Sequence, residues 1–248
     1  MKKEWFATWF DSPFYHILYK YRDGQEASVF MNQLNETLAL PESAEVLDLA
    51  CGKGRHALTL HQLGYRVTGA DLSCKSIQEA SRCAREGLEF IVHDMRDVIP
   101  GKQFQAVFNL FTSFGYFDDR SGNLQVLSAV HTMLEEEGLL VLDFMNAEKV
   151  ISNLIADEKK EIDGITFHIQ RHYDGQHIRK EIRFWGNDEE HFFTERVQAL
   201  TPQDFYALMD ESGFRVLNTY GDFALSPFDS RSSDRFIIIA QKKTCKQF

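Results

Sequence analysis

Between Glu45 and Asn146 the chain alternates short apolar runs with helix-like stretches, and few folds accept that alternation. The runs are EVLDLA, YRVTGADL, LEFIVHD, FQAVFNLF and GLLVLDFMN. Apolar runs alternating in this way with helix-like stretches argue for a parallel sheet covered on both faces. Right-handed βαβ units then lay the strands parallel with helices on both faces. Gly138, ahead of LLVLDF, reads as a helix stop. FRVLNTY and RFIIIAQKK add two strands near the far end of the sequence. The expected fold class is α/β, a doubly wound, mostly parallel seven-stranded sheet.

After Asn146 the pattern changes. EIDGITFHIQRHY, HIRKEIRFWG and EEHFFTERVQAL are joined by Asp174-Gly175 and Gly186-Asn187, both hairpin signals. An inserted antiparallel β meander is expected over 161–200. Thr201-Pro202 then offers a capping hydroxyl and a proline at the first helical position, with Gly213 near that helix's end. At 248 residues one domain spanning 1–248 is expected, with 1–40 as an N-terminal helical cap.

Open α/β sheets bind ligands beyond the carboxyl ends of their strands, beside the first one. That strand runs into VLDLACGKGRHA, Val46–Ala57, which contains G-x-G-x-x-A, the pattern of a dinucleotide loop. Gly52 and Gly54 allow a tight turn. Asp48, however, precedes them, and a carboxylate there repels a pyrophosphate and suits a ligand with positive charge. Asp71 ends the second strand, where an acid can accept hydrogen bonds from both ribose hydroxyls, as it would for NAD also. Asp94 follows the third strand as an acceptor for an adenine amino group, with Met95 as an apolar ring contact. Three strand ends describe one nucleoside.

With these residues in place, the chain resembles the class I S-adenosylmethionine-dependent methyltransferases, closest to the amino-sugar and glycine N-methyltransferase branch, over Glu45–Asn146 and again in the last helix and two strands. The resemblance implies a Rossmann-like methyltransferase fold and S-adenosylmethionine as cofactor. It further implies that Asp48, Ala50, Cys51, Gly52 and Gly54 hold the methionine part, and that Asp71 and Leu72 meet the ribose. Asp94 and Met95 would face the adenine, and Asn109, Leu110 and Phe111 would lie near the sulfonium. Similar enzymes fold an N-terminal helix over the cofactor. Here Tyr15, Tyr19 and Arg22 share one helix face that could do so. An NAD-dependent oxidoreductase and a noncatalytic S-adenosylmethionine-binding protein stay open as alternatives.

The acceptor is expected to be a small molecule methylated on N or O. A net charge of −10 argues against nucleic acid, and NLFTSFGYF is not the Asn-Pro-Pro-Tyr type of motif that clamps a base. The meander offers Arg171, His172, Arg183, His191 and Arg196 as candidate acceptor contacts and is expected to act as a lid. Methyl transfer needs alignment and exclusion of water more than a dedicated base, so no catalytic side chain is singled out. The four cysteines, Cys51, Cys74, Cys83 and Cys245, make no metal-ligand spacing, and no apolar run suits a signal or a membrane span. A cytoplasmic protein with no metal and no membrane partner is expected; oligomeric state is not readable.

Overall fold

A computed structural model describes residues 4–20 and 24–244. Arg22 and Cys245 lie outside them. In chain order the elements are α1 (Trp5–Trp9), α2 (Pro13–Leu18), α3 (Gly24–Leu38), β1 (Glu45–Leu49), α4 (Arg55–Gln62), β2 (Arg66–Asp71), α5 (Cys74–Ala80), β3 (Leu88–Val92), β4 (Phe104–Asn109), α6 (Arg120–Met133), β5 (Leu134–Met145), α7 (Ala147–Ser152), β6 (Asp157–Ile162), β7 (Ile165–Tyr173), β8 (His177–Gly186), β9 (Glu189–Gln198), α8 (Pro202–Glu211), β10 (Phe214–Tyr220) and β11 (Arg235–Lys242).

The main sheet has seven strands in the order β10-β11-β5-β4-β1-β2-β3. All pairings from β5 to β3 are parallel, and β11 alone runs against its neighbours. Chain order reverses between β1 and β4, which opens a crevice at their carboxyl ends. Side chains alternate across the pleat, so Leu47 and Leu49 pack with α6 and α8 while Val46 packs with α3 and α4. By that parity Asp48 belongs to the α4 side.

Thr201 and Asp204 form a reciprocal capping box with Pro202 at the start of α8, and Gly213, at φ 79°, follows its end. Gly138 behaves differently from expectation. The helix stops at Met133 and β5 begins at Leu134, with an irregular register between Phe104 and Ala106 opposite it. Gly138 sits inside that strand, where a Cβ would come within 2.9 Å of the Glu135 carbonyl oxygen. It relieves a bulge rather than ending a helix.

The insertion is a separate four-stranded antiparallel sheet, β6-β7-β8-β9. It begins at Asp157, earlier than expected, because the highly charged DEKKEI is an edge strand paired to β7 through a turn at Asp163 and Gly164. The turn between β8 and β9 centres on Asn187 and Asp188, both left-handed. Gly186 closes β8 instead, where a Cβ would meet the Phe14 ring at 2.9 Å. One face of this sheet (Phe167, Ile169, Ile182, Phe184) packs on Trp9, Phe14 and Leu18 of the N-terminal helices in a core of its own. No helix among the described residues is long and apolar enough to cross a membrane.

Candidate active site

A cleft of about 790 Å³ lies at the carboxyl ends of β1, β2, β3 and β4 and is closed on the far side by α1, α2 and the second sheet. Its floor is the loop after β1. Ala50, Gly52 and Gly54 all have positive φ (64°, 55° and 80°), so the backbone turns left at every second residue. A Cβ on Gly52 would meet nothing within 4 Å, so its hydrogens face open cleft. Gly54 is glycine for another reason: a Cβ there would lie 2.5 Å from the Phe90 ring. It starts α4 and packs that helix on β3, behind the wall.

Asp48 is 1% exposed, yet it borders the cleft. Its carboxylate accepts the amide of Ala57 in the first turn of α4, while Oδ2 has no partner. Burial pushes its carboxyl up to about 7, with the nearby Asp71 charge adding and the Ala57 amide and Arg55 opposing. A half-satisfied buried acid costs free energy unless a donor or cation completes it. Asp71 accepts the Gly52 amide on Oδ2 and the Ser73 amide on Oδ1, both at 2.8 Å. Each oxygen keeps a lone pair for a diol, and Leu72 beside it is 36% exposed within the cleft.

Asp94 and Met95 also line the cleft. Both Asp94 oxygens already bind Arg96, whose guanidinium reaches Glu4 at 2.8 Å and lies over the Phe117 ring. Leu110 and Phe111 line it too, but Asn109 stands behind, donating to the Leu49 carbonyl oxygen at 3.1 Å. It ties the ends of β1 and β4 together. Cys51 is buried and its thiol is pushed well up, chiefly by burial, so it is an apolar contact rather than a nucleophile. The ring of His56 stacks on Phe111 at 4.9 Å and burial holds it near pKa 3, neutral.

The far end of the cleft belongs to residues distant in sequence. Tyr15 and Tyr19 border it with Trp5, Phe10 and Tyr116. Glu195 of β9 accepts the Tyr19 hydroxyl at 2.7 Å and the Trp9 indole N–H at 2.7 Å, and Lys180 of β8 lies 3.5 Å away. Lys180 and Glu195 are absent from the sequence-based candidates; the only signal was polar residues on the inward register of strands whose other inward residues are apolar. Of the meander candidates, Arg171 lines the cleft, paired with Glu158. Arg183 stacks on Phe192, His191 packs on Phe14 and Phe184, Arg196 pairs with Asp118, and His172 is exposed.

The cleft suits a nucleoside with a cationic tail: a buried carboxylate with one unpartnered oxygen, a loop with room at Gly52, a diol-accepting acid and apolar surface at Leu72 and Met95. Comparison with known proteins agrees. Residues 41–213 match the family described as "Methyltransferase domain". A glycine/sarcosine N-methyltransferase of Halorhodospira halochloris is 26% identical over 90% of this chain and 82% of its own length. The fold is shared with an S-adenosylmethionine-dependent methyltransferase from Clostridium acetobutylicum, at TM-score 0.79 and 17% identity over 92% of this chain and 96% of that one. It is also shared with the S-adenosylmethionine-bound amino pentose methyltransferase CalS10 of Micromonospora echinaspora, at 0.69 and 20% over 94% and 98%.

Proposed function

The chain belongs to the methyltransferase-domain family as a class I S-adenosylmethionine-dependent methyltransferase, and from that premise we propose that it methylates the nitrogen of a small amine in the cytoplasm. The observation carrying the choice of nitrogen is Glu195. It is the acid that the second sheet brings to the cleft, and it already holds Trp9, Tyr19 and Lys180. A hydroxyl acceptor needs help losing its proton in the transition state, whereas a neutral amine attacks with its own lone pair. The likeness to a glycine/sarcosine N-methyltransferase supports the same reading.

S-adenosylmethionine, when bound, supplies a methyl group on cationic sulfur. Asp48 Oδ2 receives the ammonium of the methionine part, beside Ala50, Cys51 and Gly52. Asp71 accepts the ribose hydroxyls, Leu72 and Met95 flank the base, and Asp94, its charge balanced by Arg96, accepts the adenine amino group. Leu110 and Phe111 wall the reacting end. Trp5, Phe10, Tyr15 and Tyr19 exclude water, with α1 and α2 acting as a cap and the 157–198 sheet as a lid over the acceptor. With glycine, sarcosine and an amino sugar set against their hydroxyl counterparts, release of S-adenosylhomocysteine should be seen with an amine. Release with the hydroxyl compounds alone overturns the choice of nitrogen.

Asp48 also sets a pH dependence. Its pKa near 7 means that a cationic tail finds it mostly protonated at pH 6 and mostly ionised at pH 8. S-adenosylhomocysteine affinity should therefore rise about tenfold across that interval. His56, held neutral near 3, does not contribute. The sign for folding is the reverse: a raised carboxyl pKa lowers cofactor-free stability as pH rises from 3.8 through about 7. Calorimetry giving equal affinity at pH 6 and 8 would remove Asp48 from the tail site.

A further inference from the structure

Asp143 is fully buried in β5 between Leu142 and Phe144, on a stretch that is otherwise apolar. Its partner is Arg235 at the start of β11, whose Nε donates to Oδ1 at 2.8 Å. A buried ion pair is weak support for stability, since well-packed apolar side chains often do as well. What the pair holds is more informative. Phe111 and Thr112, consecutive and neither of them glycine, have φ of 57° and 61°, a conformation side chains rarely adopt. The Phe111 amide donates to Asp143 Oδ2 at 2.7 Å, and the Thr112 amide to the Asp143 carbonyl oxygen at 3.0 Å. Arg235 Nη2 donates to the Thr112 hydroxyl at 3.0 Å. Both strained amides and the one side-chain hydroxyl between them end on this pair.

The strained turn places a ring. Phe111 is stacked between His56 at 4.9 Å and Phe223 at 5.0 Å, with the Arg55 guanidinium 5.1 Å from its centroid. Arg235 itself lies over Phe223 at 5.4 Å. Phe111, Thr112, Phe223 and Arg235 all face the cleft, while Asp143 stands behind them. Backbone strain persists where surrounding contacts over-determine it, and it gathers at functional sites.

We propose that Asp143 and Arg235 are positioning residues for methyl transfer, clamping Phe111 and Thr112 in a left-handed turn so that the 110–113 loop presents a fixed wall to the bound cofactor. The proposal rests on the methyl-transfer reading of the cleft. Loss of the clamp lets the turn relax toward ordinary backbone angles, which moves the Phe111 ring and opens the wall at the reacting end. Affinity for the ligand then falls although the sheet is intact.

The test uses S-adenosylhomocysteine as probe, by calorimetry, beside thermal melts of the cofactor-free protein. Thr112→Val keeps shape and β-branching and loses only the hydroxyl that Arg235 holds; it should bind about tenfold more weakly with its melting transition unmoved. Thr112→Ser keeps the hydroxyl and should stay near the wild-type affinity. Arg235→Lys keeps the charge but cannot bridge Asp143 and Thr112 together, and should fall as far as Thr112→Val. Asp143→Asn should fall at least as far, and the two Thr112 variants carry the test should it not fold. Wild-type affinity in Thr112→Val overturns the clamp. So does a loss there that Arg235→Lys does not reproduce, because it would mean direct contact between Thr112 and ligand. A wild-type protein that binds no S-adenosylhomocysteine would instead sink the methyl-transfer reading.

Discussion

Asp71→Ala is expected to weaken S-adenosylhomocysteine binding by about 3 kcal/mol, roughly 150-fold. The carboxylate has two tasks. It accepts the ribose hydroxyls, and hydrogen bonds to a charged group contribute about 1.5–3 kcal/mol. It also holds the Gly52 and Ser73 amides at 2.8 Å, fixing the glycine loop against the start of α5. Alanine loses both, so the expected effect lies at the top of the range. Folding should suffer far less, because burial already pushes the Asp71 carboxyl up and its removal relieves that cost. Calorimetry and a melt on one preparation decide the matter. Unchanged affinity in a folded variant takes Asp71 out of the site.

The two loop glycines should fail in different ways. Gly54→Val forces a β-branched side chain to φ 80°, costing about 1–2 kcal/mol or more. Its Cβ would also stand 2.5 Å from the Phe90 ring and 3.3 Å from the Ala80 Cβ, an overpacking worth about 1–3 kcal/mol. A loss of about 2–5 kcal/mol in this chain corresponds to a melting point lower by roughly 10 °C. Gly52→Ala meets no neighbour within 4 Å and bears only the strain of its φ of 55°. It should melt close to wild type and bind S-adenosylhomocysteine at least about tenfold more weakly, since its methyl occupies ligand space. If Gly54→Val melts normally, or Gly52→Ala binds normally, the division of labour in this loop is wrong.

What the sequence made legible was local. Asp48, Gly52 and Asp71 stand within one βαβ unit, and strand-end acids on either side of a glycine turn have few other uses. The central strands could be read because burial on both faces leaves mostly apolar runs. β6 escaped notice because an edge strand of Lys and Glu carries no such run, and Gly138 misled because a strand bulge and a helix stop ask for the same residue. Arg96 standing beside Asp94 gave no hint that Glu4 would join them. Nor could Glu195 be matched to Trp9 and Tyr19, or Asp143 to Arg235. Those pairs depend on which inward position of one strand faces which helix, and that is fixed by tertiary packing alone.

The same long-range pairs bear on how the protein comes off the ribosome. Trp9 and Glu195 are 186 positions apart, and Asp143 and Arg235 are 92 apart. Closing longer loops adds little to the entropic cost, but contacts of such separation are late to form. A nascent chain that has emitted β1 to β5 owns the glycine turn and its acids, but neither the latch at Glu195 nor the clamp at Arg235. By the clamp proposal ligand binds finished molecules more tightly than growing ones, and the stabilisation it confers by mass action is greatest once synthesis has passed β11.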